Sequence, residues 1–268
     1  MFVIGPLLPP AMRPHVEAVF AYARVARDLA ANGALPAEQR LAQLDAWRRR
    51  LHAAAAVERS IVPPHAHDDL MVVALAHSIR SLNLPIAWFD DLVSAYGEDT
   101  MTARYDSWAD LLDHCGRTVN LLGRLVLRVG GYRDEALDRS SDALCTALEL
   151  TRRWQQIGPD WRVGRLAVPR DVSAACRARE RDLDGPLLDE AWAAALRQCV
   201  DRTRAQFEAG RALCDGMTGA LRLERRVAWL GGVRLLEKIE RAGAALPSRA
   251  PVLGKGERAL LLWRAARW

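Results

Sequence analysis

Long apolar runs are missing from this chain. No stretch of about eighteen hydrophobic residues occurs, so no membrane-crossing helix is expected. The start, MFVIGPLLPP, lacks a basic region and is broken by prolines, so no secretory leader is expected either. The five cysteines (Cys115, Cys145, Cys176, Cys199 and Cys214) are odd in number and show no CxxC spacing. That excludes a disulfide framework or a zinc ribbon and predicts buried thiols in a reducing, cytoplasmic setting. Also missing are a P-loop, a GxGxxG fingerprint and a serine nucleophile elbow. Sustained alternation of apolar and polar residues is absent, which excludes a sheet-based fold. Basic residues are interleaved with acids rather than gathered with aromatics, so a nucleic-acid partner is not expected.

What is present is a chain of 268 residues, half of them hydrophobic and 26% charged, with a net charge of +5. That composition supports a sizeable core, and the excess of arginine suits an anionic ligand or a headgroup layer. Apolar residues recur at helical spacing almost throughout. Helices are expected over 13–32, from Pro36 to about 58, over 67–81, 86–96, 108–129, 134–157, 188–217, 221–242 and 256–268, with a short helix and loop in 171–185. Ser107 is the expected N-cap of the fifth, with Asp110 in its first turn. The whole reads as a single all-α domain without internal repeats.

The stretch Cys145–Pro169, CTALELTRRWQQIGPDWRVGRLAVP, carries the strongest signal. Glu149, Arg152, Arg153, Gln156 and Asp160 share one helical face. A polar stripe flanked by small and apolar residues is where helical bundles keep ligand sites. The first helix offers a second stripe with Arg24, Arg27, Asp28 and Ala31. Two such stripes facing each other would enclose a cavity. His65, His67 and Asp68 follow Pro63-Pro64 without HxxxH spacing and are a weak metal candidate. His52, His77 and His114 read as ordinary helix residues. The final helix combines Leu260, Leu261, Leu262, Trp263 and Trp268 with Arg258, Arg264 and Arg267, so it packs on the bundle or lies against a membrane surface.

Several stretches resemble the squalene/phytoene synthase family, above all its bacterial branch that makes squalene by way of hydroxysqualene. They are AMRPHVEAVFAYAR (Ala11–Arg24), EQRLAQLDAWRRRL (Glu38–Leu51), ARYDSWADLLDHCGRTVNLLGRLVL (Ala103–Leu127), GYRDE (Gly131–Glu135), the Cys145–Pro169 segment and LLEKIERAG (Leu235–Gly243). The resemblance implies the all-α isoprenoid synthase fold, one bundle around a central apolar cavity with a diphosphate site at its mouth. It also implies Mg²⁺ held by two aspartate-rich motifs on facing helices. Here those motifs read ARDLAANG and LTRRWQQIGPDW. Arg27, Ala31, Arg152 and Gln156 stand where the family has aspartate or asparagine, and Asp28 and Asp160 are the remnants. Pro159 is expected to disturb the helix carrying Asp160. Arg165 is retained, and Ala167 replaces a tyrosine. The expected diphosphate ligands are therefore Arg24, Arg27, Arg152 and Arg165, with Phe20, Glu149, Arg153 and Gln156 lining the cavity. The expected partners are a prenyl diphosphate or an isoprenoid lipid, bound without chemistry, and an intact homologue; the alternative is a transferase whose arginines replace the metals.

Overall fold

The computed structural model describes residues 7–57, 67–100 and 104–268, and among these every regular element is helical. The first four helices are α1 (Arg13–Ala31), α2 (Ala37–Ala56), α3 (His67–Leu82) and α4 (Ala87–Asp99). α5 (Trp108–Cys115) and α6 (Leu121–Val129) follow, joined by a π-helical turn at Gly116–Asn120. Then come α7 (Glu135–Gln155), α8 (Ile157–Arg162), α9 (Arg170–Ala175), a 3-10 turn (Glu180–Leu183), α10 (Glu190–Gly210), α11 (Leu213–Gly216), α12 (Gly219–Ala242) and α13 (Lys255–Ala266).

The helices start where local chemistry supplies partners for orphan N–H groups. Ser107 accepts from the Asp110 N–H while the Asp110 carboxylate accepts from the Ser107 N–H, a reciprocal cap worth about 1 kcal/mol. Asp134 and Asp189 cap α7 and α10 by accepting from Leu137 and Trp192. α7 is the central helix: it packs against α10, α12, α6 and the π-helical turn. Leu144, Ala147, Leu150 and Trp154 on its inner face are fully buried. α1 packs against α2, α3, α4 and α6 and forms the opposite wall.

Two expectations need correction. The rod predicted over 108–129 is interrupted at Gly116–Asn120 by one wider turn. Such turns interrupt α-helices by admitting an extra residue, and here Thr118 and Val119 come to line the central cavity. The central helix stops at Gln155, near its expected end at 157, so Gln156 and Asp160 do not share its polar face as expected. Pro159 has no N–H to give the Gln155 carbonyl, so the ladder ends there. The chain restarts at Ile157 with Pro159 in the first turn of α8, where a missing N–H is harmless. Gly158 admits the Pro247 backbone against α8: a Cβ there would lie 2.1 Å from the Pro247 carbonyl oxygen.

Candidate functional site

The cavity lies between α1 and α7. From α1, Phe20, Ala23, Arg24 and Arg27 face it at successive helical turns. From α7, Cys145, Leu148, Glu149 and Arg152 face it from the other side. One end is polar. Tyr96 and Asp99 from the end of α4, Tyr105, His114, Arg153, Asp160 and Arg165 converge there with Arg27, Glu149 and Arg152. The other end is apolar, walled by Leu122, Gly123 and Val126 of α6 and Ala228 of α12. Arg27, Tyr96, Val119, Glu149 and Arg152 line both ends.

Glu149 organises the polar end. Arg152 donates from Nε to its Oε2 at 2.9 Å and from Nη2 to its Oε1 at 2.6 Å. Arg153 donates from Nε to the same Oε1 at 2.9 Å. Burial alone would raise the Glu149 pKa, but the Arg152 hydrogen bonds and the two guanidinium charges outweigh it and hold it at about 2. Arg153 also donates to the Tyr105 hydroxyl at 3.0 Å and lies over that ring. These two arginines are thus anchored by a carboxylate, whereas no hydrogen bond or ion pair is made by the side chains of Arg24 and Arg165 among the described residues.

Asp160 reaches the cavity despite the helix break. At the end of α8 the Arg165 N–H donates to the Asp160 carbonyl and the Gly164 N–H to the Trp161 carbonyl. This helix-ending pattern requires the left-handed conformation that Gly164 adopts at φ +75°. It folds the chain back, so Asp160 and Arg165 line one wall. Burial raises the Asp160 pKa, and the charges of Arg152, Arg153 and Arg165 oppose the rise. Burial pushes Asp99 up to about 6, against the pull of Arg153 and Arg165. His114 lies 3.5 Å from Asp99, and burial followed by the Arg153 charge lowers it to about 4.

Of the residues expected from sequence, Phe20, Arg24, Arg27, Glu149, Arg152, Arg153, Asp160 and Arg165 line this cavity. Asp28 does not: its side chain is 65% exposed beside Arg27. Gln156 does not line it either, because the break after Gln155 turns it off the stripe. His65 lies outside the described residues, as do the side chains of His67 and Asp68. His114 is not an ordinary helix position but a wall of the site. Asp99, Tyr96, Tyr105, Glu224 and Arg225 were missed. For the last two a signal existed: Leu221, Glu224, Ala228 and Leu235 recur at inward helical spacing on α12.

Known proteins share this architecture. The sequence model of the family described as squalene/phytoene synthase matches residues 1–257. A 15-cis-phytoene synthase of Synechococcus elongatus is 30% identical over 220 residues, which cover 77% of this chain and 68% of that protein. A hydroxysqualene synthase of Zymomonas mobilis is 32% identical over 179 residues, covering 66% of this chain but only 57% of that protein. The structure of squalene synthase HpnC from Alicyclobacillus acidocaldarius superposes with a TM-score of 0.79 at 32% identity, over 88% of this chain and 86% of that one. A dehydrosqualene synthase solved in complex with ligand superposes at 0.83 and 18% identity, over 97% and 88%, and speaks to the fold alone.

Proposed function

The chain belongs to the squalene/phytoene synthase family, and on that premise we propose that its cavity binds a prenyl diphosphate or a related isoprenoid with arginine, not Mg²⁺, as the partner of the diphosphate. The observation that carries this reading is the charge of the polar end. Arg27, Arg152, Arg153 and Arg165 outnumber Asp99, Glu149 and Asp160 there, and Arg24 lies one turn away on α1. Guanidinium forks match phosphate oxygens and need no metal to do so. The apolar end behind them suits the hydrocarbon tail.

The donor set does not fit the metal cluster that the family uses. Mg²⁺ asks for several oxygens in octahedral array. Asp28 is exposed outside the cavity, and Glu149 already accepts three guanidinium hydrogen bonds. Asp99 and Asp160 both have raised pKa values, and arginines flank them. Two carboxyls in that setting make a poor clamp for a divalent ion. On this reading the chain binds without ionising its ligand and serves isoprenoid metabolism as a carrier, or as the partner of an intact homologue.

A second reading has the arginines carrying out the ionisation themselves. Incubation with farnesyl diphosphate and presqualene diphosphate, with and without Mg²⁺ and NADPH, separates the two. The binding reading expects no lipid product under any condition. Product formed in EDTA supports the second reading, and product that requires Mg²⁺ overturns both. In the same preparation, Arg27→Glu with Arg165→Glu should weaken farnesyl diphosphate at least tenfold and leave folding intact, since both side chains are exposed.

A membrane surface is a further part of the proposal. On α13 Leu260, Leu262 and Trp263 are exposed, and every exposed charged residue of that helix is basic. Its one acid, Glu257, turns inward to Arg234 and Lys238. No described helix is long and apolar enough to cross a membrane.

A further inference from the structure

Where the end of α10 meets α12 and α13, the surface opens into a pocket of about 420 Å³, apart from the cavity between α1 and α7. Its aromatic walls are Trp229 of α12, Trp263 of α13 and Trp268 just beyond that helix. Its polar walls are Arg211, Arg264 and Arg267. Arg211 lies 5.8 Å from the centre of Trp229 and 5.3 Å from that of Trp268, and Arg267 lies 4.5 Å from that of Trp263. Trp229 and Trp268 meet edge to face at 5.3 Å.

A cation–π contact anchors a guanidinium without consuming its N–H donors. Among the described residues, the side chains of Arg211, Arg264 and Arg267 make no hydrogen bond or ion pair, and no acid lines the pocket. Arg226, which also lies over Trp268, is already taken by Asp215. Three cations are thus held in place with their donors unspent, which is the chemistry of an anion site.

The pocket continues an exposed apolar face. Leu260, Trp263, Arg264 and Arg267 fall at i, i+3, i+4 and i+7 on α13, so they share one side of that helix. Leu260 and Trp263 are each 53% exposed. A bilayer that receives those two side chains at its acyl boundary brings its headgroups to the arginines beside them.

We propose that this pocket binds the phosphate of an anionic phospholipid, with Arg211 and Arg267 as its main ligands. Free phosphate offers the same oxygens but would leave Leu260 and Trp263 uncovered. A zwitterionic lipid would bring a cationic group to a pocket that has no acid to receive it. The assignment rests on the reading that α13 faces a membrane, and it adds which headgroup is gripped and where.

The test is vesicle sedimentation of the full chain and its charge-preserving variant Arg211→Lys/Arg267→Lys. Both side chains are exposed, so the fold is not at stake. Lysine keeps the long-range attraction but lacks the planar fork. On phosphatidylglycerol vesicles the variant should bind about tenfold more weakly than wild type. Arg139→Lys/Arg197→Lys, at exposed positions outside the pocket, should bind within about twofold of wild type. A pocket variant that binds as wild type does overturns the site and leaves only diffuse attraction. Wild type that fails to bind these vesicles overturns the membrane reading of α13 itself, so the wild-type arm tells the two failures apart. Calorimetry with inorganic phosphate separates the sources of the anion. Wild type and the pocket variant should take up phosphate alike, since without a bilayer the pocket keeps only part of its contacts. Phosphate affinity lost in the variant while vesicle binding is unchanged would assign the pocket to a free anion and overturn the lipid.

Discussion

Glu149 holds two guanidinium groups in place, and removing its charge has two opposite consequences. Glu149→Gln leaves Arg152 and Arg153 half-buried without a counter-charge, which should lower stability by about 3 kcal/mol. The same change frees donors, so inorganic diphosphate should bind more tightly in titration calorimetry. The acid limb of the stability curve offers a check. The folded pKa of Glu149, about 2, lies below its ordinary 4.5, so its contribution is present above pH 4.5 and is lost as pH falls towards 2. Chemical denaturation across that window should show a shallower limb in the variant.

Asp99 acts in the opposite sense. With its pKa near 6 it is an anion at pH 7 and neutral at pH 5, while His114 stays neutral down to about 4. Arg153, Arg165, Glu149 and Glu98 complete its charged surroundings. The polar end therefore becomes more positive between pH 7 and 5. Diphosphate affinity, measured in EDTA, should rise over that interval, and Asp99→Asn should bind several-fold tighter at pH 7 and show a smaller rise. The arginines and Glu149 were legible as residues, because helical spacing puts them on one face. Their pairing was not, because spacing does not say which carboxylate takes which guanidinium. Asp99 carried no such mark: it closes α4, and only the fold brings it beneath Arg153.

At the scale of elements, the break after Gln155 decides which motif residues meet. The expected end at 157 and the disturbance expected of Pro159 both pointed to it. What the pattern did not contain was the recovery of Asp160, which depends on the left-handed turn at Gly164. The π-helical turn at Gly116–Asn120 was likewise invisible, since one extra residue barely disturbs an apolar repeat. The Gly158 junction is tight enough to test. Gly158→Val must displace the Pro247 backbone and should cost about 1–3 kcal/mol in urea denaturation. Gly33→Val, with open space around the position, should cost less.

For the whole molecule, the all-α bundle followed directly from periodicity and punctuation, because helix stops at Asn32-Gly33, Gly130-Gly131 and Pro247 fall between elements. The cavity followed only from two stripes facing each other, and the orientation of α12, with Glu224 and Arg225 turned inward, needed the assembled structure. The outer face of α13 carries its own expectation. Vesicles containing phosphatidylglycerol should sediment the chain and those of phosphatidylcholine should not. Trp263→Ala with Leu260→Ala should reduce that binding at least fivefold, and equal binding to both vesicles would remove electrostatics from the account.

The central claim is that guanidinium groups take the place of metal in gripping diphosphate. Calorimetric titration with a non-hydrolysable farnesyl thiolodiphosphate, in EDTA and again with excess Mg²⁺, tests it directly. The account predicts dissociation constants within about threefold of each other. Binding that appears only with Mg²⁺, or tightens a hundredfold when it is added, would contradict it.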